Sequence, residues 1–184
     1  MKGLLTFLVF ICATAHASQF YKGENLITPY QPNEENWDVL KKNEPKERGM
    51  MWLDKKLGFS DSYTVTIYPK RKELLKSVRE TQDNPGRKAC ESFESIDLTA
   101  LDNKNYGSTF WRTKCETSSG FKAQMINLLI QGEDSLYSVQ RVWRGPKAVP
   151  EIETWVSRMS QIYVCDTRDE DKVCPSGFEK VKDM

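Results

Sequence analysis

The sequence predicts an α+β domain in which an antiparallel β-sheet is flanked by two main helices and held by disulfides. Three observations lead to this prediction. Alternating and apolar runs typical of strands fill the middle of the chain, two segments have helical spacing, and four cysteines follow an N-terminal export signal. Helices packed on an antiparallel sheet bury the apolar face of each kind of element, which makes this a stable arrangement.

Residues 1–17 have the pattern of a cleaved secretory signal peptide. Lys2 precedes an apolar stretch from Leu4 to Ala13, and Ala15-His16-Ala17 is the small-x-small pattern that signal peptidase accepts. The stretch is about half of the ~20 apolar residues that a membrane span requires. We therefore expect an exported protein, located in the periplasm or outside the cell, with residues 18–184 forming a single domain.

The first part of that domain alternates between polar segments and strands. Residues 18–36 are polar and proline-containing, which predicts extended chain and turns. Residues 50–53 predict a short strand after a charged segment. Residues 62–68 are a clearer strand, because β-branched and aromatic residues alternate there, and Pro69 ends it.

The spacing of apolar residues then changes to that of a helix. Leu74, Leu75 and Val78 share one face within Lys70 to Asp83, so we predict the first helix over that range. Asn84-Pro85-Gly86 is a strong stop signal and predicts the end of this helix.

The C-terminal half predicts the rest of the sheet and the second helix. Residues 90–98 and 108–115 resemble strands, and residues 121–130 and 136–143 predict a hairpin around a glycine-containing loop. Residues 151–164 predict a helix with one broad apolar stripe facing the core, formed by Ile152, Trp155, Val156, Met159, Ile162 and Tyr163.

Four cysteines remain after removal of the signal, which favours two disulfides in an oxidising compartment. Three pairings can be drawn. Cys165 and Cys174 flank a polar segment that can close as a short loop, which would leave Cys90 to pair with Cys115. Zinc binding is disfavoured because the domain has no Cys-x-x-Cys pair and no histidine, so no metal site is expected.

The missing histidine also bears on catalysis. His16, the one histidine in the chain, lies in the signal, so the mature domain lacks a Ser-His-Asp or Cys-His mechanism. The sequence contains no nucleophile elbow, P-loop or dinucleotide-binding motif. We therefore expect a non-enzymatic protein without a cofactor. A hydrolase that uses carboxylates alone is the alternative, because glycoside hydrolysis requires no histidine.

Charge distribution points to one candidate binding surface. The chain has 27 basic residues, of which Lys2 is lost with the signal, and 26 acidic ones, so the mature domain is neutral and general nucleic-acid binding is not expected. Basic residues are nevertheless concentrated in one region, which predicts a surface for anionic headgroups or an acidic partner. The alternative is an ordinary solvated helix face. The candidate residues are Lys70, Arg71, Lys72, Lys76 and Arg79.

Three smaller expectations concern other polar and aromatic residues. The acidic residues at 166–171 lack the D-x-D-x-D-G order of a calcium loop, so no calcium site is expected. Asp166 and Arg168 are expected to form a structural ion pair beside the second disulfide. Trp37 lies in a polar context and is expected to be exposed, whereas Trp111, Trp143 and Trp155 are expected in the core.

Several motifs resemble those of a group of small exported proteobacterial proteins of unknown function. The most specific are the hairpin residues 130–141 and the ending Val164-Cys165-Asp166-Thr167-Arg168; others are Tyr30 to Trp37, Asn105-Tyr106-Gly107, Trp111 and Trp155. The resemblance implies export, a Cys90–Cys115 disulfide and a shape similar to the PsbP and Mog1 proteins. It implies no catalytic residue.

Together these features predict a non-catalytic exported bacterial binding protein. Its ligand is expected to be a protein partner or an anionic membrane headgroup, including the case of a secreted factor directed at a host. The alternative is the carboxylate-only hydrolase, acting in the envelope or outside the cell.

Overall fold

The computed structural model describes residues 22–33, 35–99, 106–145 and 151–175. The predicted signal peptide and its cleavage after Ala17 lie outside the described residues. Within the described ranges, no helix has the length and apolar character needed to cross a membrane.

The described chain folds into an antiparallel sheet with two helices and a small ribbon, which confirms the predicted α+β class. The strands are β1 (Glu24–Ile27), β2 (Trp37–Glu44), β3 (Glu47–Asp54), β4 (Gly58–Pro69), β5 (Ser92–Asp97), β6 (Gly107–Glu116), β7 (Lys122–Gln131), β8 (Ser135–Arg144) and β9 (Tyr163–Asp166). The helices are α1 (Leu75–Ala89) and α2 (Ile152–Ser160). Seven strands form the main sheet in the order β2-β3-β4-β8-β7-β6-β5, and β1 pairs with β9 in a separate two-stranded ribbon.

The main core lies between one face of the large sheet and a layer made of α2 and the ribbon. Alternation along the strands directs one set of side chains to this face. In β8 these are Tyr137, Val139 and Trp143, whose exposed fractions are at most 7%. The ring of Trp155 in α2 contacts that of Tyr63, with the two ring centroids 5.3 Å apart. The predicted core-facing stripe is therefore confirmed for Ile152, Trp155, Val156 and Met159, whereas Ile162 and Tyr163 lie after the end of the helix.

Helix α1 covers part of the opposite face of the sheet, where Val78 packs with Trp111, Leu129 and Leu136. The predicted range of 70–83 is wrong at both ends. Residues 70–74 are not helical, and Lys70 has a positive φ of 61° that no helix accommodates. At the other end the helix continues through Pro85.

Tertiary contacts explain why the stop signal at residues 84–86 fails. The carboxylate of Asp83 is buried and accepts hydrogen bonds from the indole of Trp111 at 3.0 Å and the hydroxyl of Ser95 at 2.7 Å. Gly86 packs so closely on Phe93 that an added Cβ would lie 2.4 Å from that ring. These contacts hold the segment on the sheet and outweigh the local cost of a proline inside the helix.

Two further boundaries differ from the sequence-based expectation. The second helix ends at Ser160 rather than at residue 164, because residues 163–166 pair with β1. The expected short strand at 50–53 is the eight-residue β3, and its neighbour β2 was not predicted. Strand β2 lies at the edge of the sheet, where side chains on both faces contact solvent and charged residues such as Lys41 and Lys42 are tolerated.

Both disulfides form as the sequence analysis expected. Cys90, just after α1, is bonded to Cys115 in β6, across a separation of 25 residues. Cys165 in β9 is bonded to Cys174, which closes a loop with a separation of nine residues. The first bridge attaches the end of α1 to the sheet, and the second fixes the chain that follows β9.

Candidate functional site

The five cations of the predicted surface lie in two kinds of structure. Lys70, Arg71 and Lys72 belong to the irregular connection between β4 and α1, whereas Lys76 and Arg79 lie in α1 itself. The predicted helix from Lys70 to Asp83 would contain all five, so the expectation that one helix carries them is wrong.

The two arginines of this set are engaged by neighbouring groups of the protein. The guanidinium of Arg71 lies 2.5 Å from the carboxylate of Glu73 and 4.9 Å from the ring centroid of Tyr68. Arg79 forms an ion pair with Asp97 and lies over the indole of Trp111, at 5.3 Å from the ring centroid. Both arginines thus stabilise the fold around α1 and contribute little free positive charge.

The three lysines differ from the arginines, because all three side chains are exposed and none forms an ion pair with a described residue. Leu74 lies between them in the sequence and is 78% exposed. Helix α1 begins directly after it, with no side-chain cap and no acidic residue in its first turn. The positive end of the helix dipole therefore adds to the lysine charges. We call Lys70, Lys72, Leu74 and Lys76 the lysine surface.

Hydrogen bonds from the end of β7 and the loop that follows it hold the chain that carries Lys70 and Lys72. The backbone N–H of Lys70 donates to the carbonyl of Asp134 at 2.7 Å. The side-chain amide of Gln131 accepts from the N–H of Glu73 at 3.1 Å and donates to the carbonyl of Arg71 at 3.2 Å. One residue of the predicted hairpin thus fixes the irregular connection that carries two of the lysines.

That loop is in turn held by Glu24, at the start of β1. The Glu24 carboxylate accepts hydrogen bonds from the N–H groups of Glu133 and Asp134, the second at 3.0 Å, and from the hydroxyl of Tyr137 at 3.1 Å. Gly132 leaves room for this carboxylate, because a Cβ added there would lie 2.4 Å from its Oε2 atom. Successive backbone N–H groups that point to one anion form a concave anion-binding site, and here the anion is the Glu24 carboxylate.

The chain after β9 closes the same loop from the other side. Arg168 is paired with Asp134 at 2.6 Å, and Lys172 with Glu133 at 2.6 Å. Glu24, Glu133, Asp134, Arg168 and Lys172 are called the clasp below. The clasp brings together the hairpin and the Cys-Asp-Thr-Arg ending, the two motifs that were most specific in the sequence. Their proximity could not be deduced, because Lys172 and Glu133 are 39 positions apart along the chain and local patterns do not reach that far.

The expected ion pair between Asp166 and Arg168 is confirmed. Its nitrogen-to-oxygen distance is 2.5 Å, and the side chain of Asp166 is only 3% exposed. The hydrogen bond from Arg168 lowers the pKa of the Asp166 carboxyl. Among the described residues, no group of histidine, cysteine and acidic side chains is arranged to hold a metal ion. The acids of the clasp have basic side chains, backbone N–H groups or the Tyr137 hydroxyl as partners, and no hydrogen bond joins two of them.

Trp37 is half-buried rather than fully exposed, whereas the three tryptophans expected in the core are all buried. Trp37 faces Arg141, a buried residue whose guanidinium lies 5.0 Å from the ring centroid of Trp37 and 4.3 Å from that of Trp143. Burial lowers the pKa of Arg141, although Asp61 nearby acts in the opposite direction. The guanidinium of Arg141 therefore packs among the rings of this aromatic cluster.

Comparison with protein-family models gives no match, and neither does comparison with curated proteins.

Proposed function

We propose that the protein is a non-catalytic exported binding protein that recognises anionic membrane headgroups through the lysine surface. The observation that supports this proposal is the exposure of Leu74 among three lysines without acidic partners in the described chain. Exposed apolar side chains flanked by cations are typical of segments that lie at a membrane surface. A single exposed leucine is common on protein surfaces, so the proposal rests on the position of Leu74 among three exposed lysines at the start of α1.

The expected affinity is weak and reversible. Each lysine close to an anionic surface contributes about 1 kcal/mol, and complete burial of a leucine side chain contributes about 1.5–3 kcal/mol. Three lysines and one leucine therefore provide roughly 5 kcal/mol, which is in the range of a single lipid anchor. Such binding requires a surface with many headgroups and decreases as salt screens the charges.

Co-sedimentation with vesicles tests the proposal. We expect the mature protein to bind two-to-one mixed vesicles of phosphatidylcholine and phosphatidylglycerol at low salt, and not to bind pure phosphatidylcholine. The variant Lys72→Glu/Lys76→Glu should lose well over tenfold in affinity, because it removes two attractive charges and adds two repulsive ones. Leu74→Ser should weaken binding by about tenfold or more without changing the salt dependence.

The matched control is Lys41→Glu/Lys88→Glu, which makes the same change in net charge at two exposed lysines outside the lysine surface. It should bind almost like the wild type. Equal losses in both double variants would show that only net charge matters, and would contradict the proposed site. Absence of wild-type binding to the anionic vesicles would contradict headgroup recognition and leave a protein partner as the expected ligand.

A further inference from the structure

Strand β2 forms one edge of the large sheet, with β3 on one side and no strand of the described chain on the other. An edge strand presents a row of unpaired N–H and C=O groups, which pair readily with another strand. The pairing of β2 with β3 continues without a bulge over the whole strand, from Trp37 to Glu44. The free edge is therefore long and regular enough to accept a further strand.

The turn between β2 and β3 fixes the direction of each backbone group in β2. Glu44 and Glu47 flank a tight turn and are paired with each other, so they exchange both backbone hydrogen bonds. Hydrogen-bonded and non-hydrogen-bonded positions alternate along an antiparallel pair. The even-numbered residues of 38–44 therefore direct their N–H and C=O groups to β3, whereas the odd-numbered residues of 37–43 direct theirs away from the sheet.

Three side chains share the outer face of β2, which is the face opposite the main core. Trp37 and Val39 pack against that core, so alternation places Asp38, Leu40 and Lys42 on the other face. Leu40 is 49% exposed, and Asp38 forms no ion pair with a described residue. Along the strand, this face is thus acidic, then apolar, then basic.

That order is self-complementary in an antiparallel pair of two copies. The outward-directed residues must bond to one another, so the two-fold axis passes through a residue and not between two. With the axis at Leu40, that leucine faces itself, and Asp38 of each copy faces Lys42 of the other. An axis at Val39 leaves Asp38 and Lys42 without an opposite charge, and an axis at Lys41 sets that lysine against itself. Opposite charges across two strands stabilise their pairing and like charges destabilise it, which favours the axis at Leu40.

The other edge of the sheet lacks this complementarity. Strand β5 contains Glu94 and Asp97 but no cation, so it offers no opposite charge to a second copy of itself. Lysine on an edge ordinarily keeps another strand away, but Lys42 faces an acidic residue in the one register described. The Nζ of Lys42 lies 2.8 Å from Glu47, and its side chain is still 46% exposed. The ammonium group therefore remains accessible to the second copy.

We propose that two copies of this protein associate through β2, with the two-fold axis at Leu40, and form one continuous antiparallel sheet. Each copy contributes the same surface, as a two-fold contact requires. The contact is one strand wide on each side, so we expect a weak dimer that dissociates on dilution. This association does not depend on the binding of headgroups by the lysine surface.

Sedimentation equilibrium of the mature protein tests the charge pairing. The wild type should dimerise as its concentration rises. Asp38→Lys and Lys42→Asp should each raise the dissociation constant by about tenfold or more, because each variant places like charges opposite each other twice. The double variant Asp38→Lys/Lys42→Asp should restore the wild-type constant, since opposite charges then face each other in reversed order. A thermal scan verifies that these exposed substitutions leave the domain folded.

Glu91→Lys and Lys88→Glu are the matched controls, because they make the same changes in net charge at exposed residues close to β5. Both should dimerise like the wild type. A wild type that remains monomeric at every concentration would overturn the proposal. So would single variants that dimerise as the wild type does, or a double variant that dimerises no better than the single ones.

Cysteine substitution tests the register independently of charge. Leu40 faces itself at a non-hydrogen-bonded position, where opposed Cα atoms are about 4.5 Å apart, a distance that a disulfide spans. Lys41 faces Val39 of the second copy, so the two copies of Lys41 are diagonal neighbours about 7–8 Å apart, which is too far. Under mild oxidation, Leu40→Cys should form a covalent dimer about tenfold faster or more than Lys41→Cys. Equal rates for the two variants would overturn the register and the proposal with it.

Discussion

The substitution Gly132→Ala tests the clasp most directly, because it adds one methyl group beside the Glu24 carboxylate. The new Cβ would lie 2.4 Å from Oε2 of Glu24, which is closer than van der Waals contact allows. Since that oxygen is the end of a flexible side chain, the carboxylate can move away. The cost is then the loss of its hydrogen bonds to Glu133, Asp134 and Tyr137.

The expected loss of stability follows from these three bonds. A net hydrogen bond contributes about 0.5–1.5 kcal/mol, so three contribute roughly 3 kcal/mol. Gly132 does not have a positive φ, so alanine is compatible with its backbone and returns about 0.4–1 kcal/mol by restricting the unfolded chain. The net destabilisation is about 2 kcal/mol, which should lower the melting temperature by about 4–8 °C in a domain of this size.

A double-mutant cycle measured by urea unfolding identifies the cause. In a Glu24→Ala background the methyl group meets no carboxylate, so Gly132→Ala should be neutral or slightly stabilising there. Gly107→Ala is the control, because its Cβ would lie 3.8 Å from Leu75, an ordinary contact. The same cost of Gly132→Ala with and without Glu24 would refute the reasoning and indicate a clash with the backbone.

Two further expectations concern the ion pair and the disulfides. Arg168 lowers the pKa of Asp166, so the pair contributes stability above the unfolded-state pKa of about 3.9 and loses it as pH falls through the lower folded-state value. Asp166→Asn should therefore lower the free energy of unfolding by about 1 kcal/mol at neutral pH, as measured with urea, because Arg168 is partly exposed. The difference between the variant and the wild type should vanish near pH 2. A difference that does not change with pH would exclude the ion pair as its cause. Replacing Cys90 and Cys115 by alanine should lower the free energy of unfolding by about 3.5 kcal/mol. Replacing Cys165 and Cys174, which close a shorter loop, should lower it by about 2.6 kcal/mol. The reverse order would contradict the account in which a disulfide acts by reducing the entropy of the unfolded chain.

Local patterns were sufficient for the elements in which a single face is buried. The hairpin of β7 and β8 and the stripe of α2 follow from alternation and from helical spacing, because burial on one side imposes that periodicity. The edge strand β2 has no such periodicity and could not be predicted from the sequence. Its side chains contact solvent on much of both faces, so no pattern of burial is imposed on them.

The candidate surfaces were predictable only in part. The lysines of the predicted surface could be located in the sequence, but the pairing of Arg71 with Glu73 and of Arg79 with Asp97 depends on side-chain geometry. The exposure of Phe59 could not be predicted, because an exposed phenylalanine and a buried one have the same sequence signature.

The sequence by itself determined the α+β class, the Cys165–Cys174 loop and the ion pair of Asp166 with Arg168, which depend on periodicity or on short separations along the chain. The even number of cysteines then left Cys90 to pair with Cys115. Tertiary structure decided where α1 begins and ends, and which motifs meet in the clasp. Pro85 lies inside α1 because Asp83 is bonded to Trp111, 28 residues away. Glu24 reaches the hairpin loop from 110 residues away. Such contacts arise from the packing of distant segments, and local conformational preference is too weak to specify or to oppose them.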